Sequence, residues 1–239
     1  MPNIFDRDLW SKNISKIDWY LYLGEDFKRI ENTVKELPRQ EREEIVDEIY
    51  DYVGKSLSEG ILQVSETGPN WDDERKTIDT LIVHHSSRAN GLTNSRLNVM
   101  HLLRLYVPFF TNPSQENREI KGRAVWSGHF VDQEQVFYGY HWLVKQDGSI
   151  ERLLDDKYIG WHAGNWDINA RSVGICLDDD LELKSPNSAM LGSLAKLIKK
   201  HYSQIEKGRI LGHREVHNSI ICPGNEFIPA WREQLLNLI

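Results

Sequence analysis

The sequence predicts an α/β fold: a mixed central β-sheet flanked by helices, with an N-terminal helical hairpin. Three observations predict it. Apolar residues recur at helical spacing from Ser15 to Gly60, and short β-branched runs alternate with helical stretches from Ile78 onward. Turn signals such as Gln146-Asp147-Gly148-Ser149 separate these elements. Alternating strands and helices along one chain are what a sheet covered by helices requires.

In the hairpin, Phe27, Ile30, Val34 and Leu37 form one apolar stripe, and Val46, Ile49, Val53 and Leu57 form a second, with Pro38 and Gly60 as breaks. Residues 1–63 are therefore expected to be a helical appendage that packs on its neighbours or binds a protein partner. The polar stretch 64–77, with its Gly68-Pro69 pair, is expected to be a linker, and 78–239 the main domain. Ile78 to Val83 predicts a buried strand ending at His84-His85, followed by a helix over Asn94–Tyr106. Further strands are expected at 138–145, 150–154 and 171–177, and helices at 190–205 and 227–239. The segment Val107 to Gln135 is long for a connection and is expected to flank a cleft as a lid or binding loop.

Composition excludes several classes. A net charge of −7 with interleaved acids and bases disfavours a nucleic-acid partner, which needs a dense basic surface. Cys176 and Cys222 are too few for a disulfide scaffold and are expected to be reduced thiols. The start, MPNIFDRDLWSKN, lacks the features of an export signal, and no apolar run is long enough to be a transmembrane segment, so cytoplasmic synthesis is expected.

Chemistry concentrates where predicted strands run into loops. His213 and Cys222 share one loop, with Gly212 before it and Pro223-Gly224 after it, and imidazole with thiolate is a donor pair that zinc favours. A histidine at the mouth of the first strand, His84 or its neighbour His85, would complete three protein ligands and leave a fourth position open. Such a centre keeps net positive charge, which polarises a carbonyl and acidifies water.

The runs IDTLIVHHSS, YGYHWLVKQDGSIE, GWHAGNWDINARSVGICL and GHREVHNSIICPG, in that order, resemble the zinc N-acetylmuramoyl-L-alanine amidases. This family includes phage amidase-type lysozymes, bacterial anhydromuramyl-peptide amidases and animal peptidoglycan recognition proteins. The resemblance covers about Ile78 to the end. It implies a zinc hydrolase that cleaves the amide between N-acetylmuramic acid and L-alanine in peptidoglycan or muropeptides. With cytoplasmic synthesis, a wall substrate would have to be reached after lysis or by non-classical export. It selects His84 over His85 and implies zinc ligation by His84, His213 and Cys222, with Tyr140 as the catalytic residue supporting the tetrahedral intermediate. It further places His162, Trp161, Trp166 and Asn169 along the substrate groove. His85 and Ser219 are expected to support the centre from behind. His141, next to Tyr140, is expected to be structural.

Two departures from the family pattern stand out. The loop from His213 to Cys222 is one residue longer than usual, and Ile220 stands two residues before the cysteine, where many members carry lysine or threonine. Ser219 or His217 would have to replace that oxyanion donor, whose loss costs roughly 10²- to 10³-fold in rate. Cys176 stands where the anhydromuramyl-peptide amidases place a glutamate, which favours the tyrosine-using arrangement. Two alternatives are a non-catalytic peptidoglycan-binding module, against which Cys222 argues, and a cysteine hydrolase with Cys222 as nucleophile and His213 as base.

Overall fold

The computed structural model describes residues 4–112, 114, 120, 122–218 and 220–239. They form two compact units. One comprises Met1–Pro69, Thr93–His129 and Gln133–Phe137, and the other Asn70–Leu92, Phe130–Asp132 and Tyr138–Ile239.

The first unit is helical. Helices α1 (Arg7–Asn13), α2 (Trp19–Val34) and α3 (Arg39–Ser58) are joined by α4 (Asn94–His101), which runs through a wide π-helical turn at Leu102–Tyr106 into α5 (Val107–Thr111). The Asp6 carboxylate caps α1 by accepting from the Asp8 and Leu9 amides, and Pro38 separates α2 from α3. The expected stripes are buried through Phe27, Ile30 and Val34 on α2 and Val46, Ile49 and Val53 on α3. Gly24 allows α2 to meet α5 closely, because a Cβ there would stand 2.7 Å from Val107 Cγ1. Arg96 of α4 ties to α3 through Asp47 at 3.0 Å and Asp51 at 2.8 Å. Such half-exposed pairs contribute at most about 1 kcal/mol each, against roughly 1.5–3 kcal/mol for each fully buried large aliphatic side chain, so apolar packing decides this arrangement.

The second unit is built on a five-stranded mixed sheet. Its strands are β1 (Thr80–His85), β2 (Trp142–Val144), β3 (Ile150–Arg152), β4 (Ser172–Leu177) and β5 (Ile210–Gly212), in the order β3-β2-β4-β1-β5. β1 runs parallel to β4 and β5, β4 runs parallel to β2, and only the β2–β3 hairpin is antiparallel. Alternate residues of a strand face opposite sides. Leu81, Val83, Val173, Ile175 and Leu177 therefore point to one face, where they pack with α7 (Ser188–His201) and α9 (Arg232–Leu238) around Leu194, Ile198, Trp231 and Leu235. The opposite face carries Ile82 and His84 of β1 beside Gly174 and Cys176 of β4.

β2 and β3 are shorter than expected: the run from Tyr138 enters the ladder only at Trp142, after Gly139, a residue that weakens a strand. Several short elements are additions to the sequence-based expectation, among them α1 and two in the second unit. These two are α6 (Trp166–Arg171), capped by the Asn165 side chain, and the three-residue β5. In the Val107–Gln135 segment, Val107–Thr111 continues as helix and Val125 bridges Val64, whereas residues 113, 115–119 and 121 of the expected lid lie outside the described residues. Among the described residues, no helix is long and apolar enough to cross a membrane.

Candidate metal centre

Two adjacent parallel strands end side by side. The β1–β5 register sets Val83 opposite Gly212, so His84 and His213 follow at neighbouring carboxyl ends, the edge where open parallel sheets place their ligands. His213 opens the short helix α8 (His213–Val216), whose start is fixed by the Gly212 amide donating to Glu215 Oε2 at 2.8 Å. Cys222 returns to the same place because the Arg214 amide donates to its carbonyl at 2.7 Å. Gly224 (φ +129°) then passes so close to the Leu181 carbonyl that any side chain would clash.

The donor atoms of His84, His213 and Cys222 lie within 4.8 Å of one another. Cys222 Sγ is 3.8 Å from His84 Nδ1, and the His84 and His213 rings are 4.5 Å apart between centroids. Tetrahedral zinc, with bonds of about 2.0–2.1 Å to nitrogen and about 2.3 Å to sulfur, sets donors roughly 3.3–3.6 Å apart, so modest closure suffices. His213 Nε2 is buried with no hydrogen-bond partner among the described residues, an arrangement a metal ion would satisfy. The donor set and the unsatisfied nitrogen both fit zinc.

Electrostatics agree. Burial pushes the Cys222 thiol up to about 12, against the pull of the His85 amide, which donates to Sγ at 3.4 Å. Without a cation beside it the sulfur stays protonated. Burial and the neighbouring His217 bring His213 down to about 4, against the pull of the Ala163 carbonyl on its ring. The imidazole is thus neutral and available as a ligand near neutral pH.

The other predicted residues take distinct places. Tyr140 is half-buried, its ring 4.8 Å from that of His84. His162 is buried behind His84, with its Nδ1 3.1 Å from His84 Nε2 and its Nε2 3.2 Å from Ser172 Oγ. Asn169 is buried too, and its Oδ1 accepts from the His162 and Ala163 amides at 3.1 and 2.8 Å. Trp161 packs edge-to-face between Trp71 and Trp166, and half-buried Trp166 donates its indole N–H to Glu74 at 2.7 Å. The His85 ring accepts from the Leu181 amide at 3.0 Å and lies 3.1 Å from Ser87 Oγ, away from the donor cluster. His141 is fully buried between the Gly174 amide and the Tyr158 carbonyl. Ser219 lies outside the described residues. His217, 5.8 Å from His213 between ring centroids, fills the space above Gly164.

Sequence reasoning missed Ser172 and Ala163 as neighbours of the site. Their only signal was position: Ser172 opens β4 on the face shared with His84, and Ala163 follows His162.

The chain is similar to several known proteins. The endolysin of Escherichia phage T7 is 28% identical over 131 residues, spanning 53% of this chain and 82% of the endolysin. Peptidoglycan-recognition protein SC2 of Drosophila melanogaster is 34% identical over 98 residues, 40% of this chain and 50% of that protein. The structure of N-acetylmuramoyl-L-alanine amidase LysC from Clostridium intestinale URNW superposes with a TM-score of 0.48 at 22% identity, covering 73% of this chain and 95% of LysC. The N-acetylmuramoyl-L-alanine amidase profile matches residues 74–225, which include β1, the Tyr140 segment, the His162 loop and the His213–Cys222 loop. Because that match spans well over half of the sequence, the chain belongs to the N-acetylmuramoyl-L-alanine amidase family.

Proposed function

We propose that this protein is a zinc-dependent hydrolase that cleaves the amide between N-acetylmuramic acid and L-alanine in peptidoglycan or its soluble muropeptides. The observation that carries the proposal is the convergence of His84, His213 and Cys222 within 4.8 Å, with His213 Nε2 buried and unsatisfied. A zinc ion held there supplies Lewis acidity for the scissile carbonyl and for activating water. The chain's own residues do the rest. Tyr140, against the His84 ring, offers a phenol O–H that donates to the oxyanion as the tetrahedral intermediate forms. Trp166 keeps exposed indole surface for a sugar or peptide face, and Trp161 supports it from behind.

Family membership supports the bond class, and likeness to phage endolysins supports action on the wall after cytoplasmic synthesis and lysis or non-classical export. The presence of Cys222 speaks against a purely binding role. Burial that holds the Cys222 thiol protonated, together with His213 as a third donor beside His84, favours a ligand over a nucleophile. Metal analysis and digestion test the proposal together. One zinc per chain is expected, with chelation abolishing release of peptides bearing free L-alanine amino termini. A metal-free chain that still releases them would overturn it.

A further inference from the structure

The loop at 161–164 touches both histidines of the candidate centre. At His84, Nδ1 is the nitrogen turned toward Cys222, and Nε2 is turned toward His162. If Nδ1 is to offer its lone pair to a metal, the ring proton must sit on Nε2, and it then donates to His162 Nδ1. With Nδ1 accepting, His162 carries its own proton on Nε2, 3.2 Å from Ser172 Oγ, which accepts it. One direction of proton donation therefore runs from His84 through His162 to Ser172. At His213, the ring donates to the Ala163 carbonyl and leaves Nε2 as the nitrogen without a hydrogen-bond partner among the described residues.

The loop is built to hold this position. Asn169 Oδ1 accepts from two successive amides, those of His162 and Ala163, and so fixes the backbone from which both contacts arise. Beneath the His162 ring lies Gly174 of β4, where a Cβ would come within 2.7 Å of His162 Cγ. Nothing larger than glycine leaves room for the ring. His162, expected from sequence at the groove, is 5% exposed and packs edge-on to His84 at 5.1 Å between centroids.

We infer that the 161–164 loop is the orienting element of the metal centre: His162 fixes the ring orientation and tautomer of His84, the Ala163 carbonyl does the same for His213, and Asn169 clamps both. This rests on the zinc centre proposed above. His162 is a positioning residue, holding a ligand without touching substrate. Partners of this kind fix ligand tautomers and are worth roughly 10- to 100-fold in metal affinity.

The test has two parts. In the metal-free parent protein, long-range proton–nitrogen NMR of the imidazoles should show His84 and His162 both protonated on Nε2. A proton on His162 Nδ1 would overturn the inference whether or not the chain binds zinc. Zinc affinity is then measured by competition with a chromophoric chelator. His162→Ala should weaken binding roughly 10- to 100-fold. His162→Asn, whose side-chain oxygen can accept in place of Nδ1, should recover most of the loss, and Asn169→Ala should weaken binding as well. Parent-like affinity in His162→Ala overturns the orienting role. Should that variant not fold, the tautomers of the parent decide. A parent chain that holds no zinc yet shows the expected tautomers refutes the metal proposal and leaves the hydrogen-bond relay standing.

Discussion

The sulfur of Cys222 lies 3.8 Å from Nδ1 of His84, although 138 residues of chain separate them. Only the sheet brings them together: β1 delivers His84, and the turn after β5 returns Cys222 to the same edge. Cys222→Ser keeps the size of the side chain and removes the soft donor. On the proposed centre it should lower zinc affinity by more than about 100-fold, beyond the range of an outer partner. Zinc content after dialysis should fall below one per chain, while circular dichroism stays unchanged. Full zinc retention would argue that the sulfur is not a ligand.

Tyr140→Phe separates packing from chemistry, because it keeps the ring against His84 and removes only the hydroxyl. If the phenol donates to the developing oxyanion, kcat should fall by roughly 10²- to 10³-fold with KM and bound zinc little changed. Steady-state kinetics on a soluble muropeptide measures the split. A loss confined to KM would make Tyr140 a binding residue.

Much of this site was legible in the sequence because it follows from strand periodicity and local loop chemistry. The β-branched run before His84 predicts a buried strand, and His213 and Cys222 share a short loop that glycines and a proline constrain. The choice of His84 over His85 came from family resemblance, and the physical ground for it is the pleat. His84 shares a face with Gly174 and Cys176, whereas the His85 ring meets the Leu181 amide. What sequence could not give was the place of His162. A histidine in a Trp-His-Ala-Gly loop beside tryptophans suggests a groove, but its burial depends on Gly174, a distant residue whose missing side chain makes room. Long-range steric complementarity of that kind leaves no local pattern. The strand Ile210–Gly212 escaped for a simpler reason, since three residues carry too little periodicity to register.

On the face of the sheet opposite His84, the Tyr202 hydroxyl accepts from Trp142 Nε1 at 2.7 Å and donates to Asp156 at 2.8 Å. Tyr202→Phe leaves a buried indole N–H without that acceptor, which costs about 1–3 kcal/mol. At roughly 2–4 °C per kcal/mol for a chain of this size, Tm should drop by about 2–12 °C. Zinc content and muropeptide cleavage at 25 °C should be unchanged, since the network lies away from the donor cluster. A loss of zinc in this variant would show that strain crosses the sheet.

His101 supplies a pH dependence remote from the metal centre. It is fully buried at the end of α4, and burial together with the nearby Arg104 guanidinium lowers its pKa from 6.5 to about 3. Between those values the unfolded chain takes up a proton that the folded chain refuses. The associated stability is therefore complete above about pH 6.5 and is lost as pH falls toward about 3. At about pH 4.5 the upper bound is near 2.7 kcal/mol, from about 1.4 kcal/mol per unit of pH. His213, also lowered by burial, acts with the same sign, so the contribution of His101 is isolated by difference. Urea midpoints measured at neutral pH and at about pH 4.5 should converge in His101→Gln, which cannot take up the proton, relative to the parent. A variant whose midpoint falls as steeply as the parent's would assign the acid sensitivity to other groups.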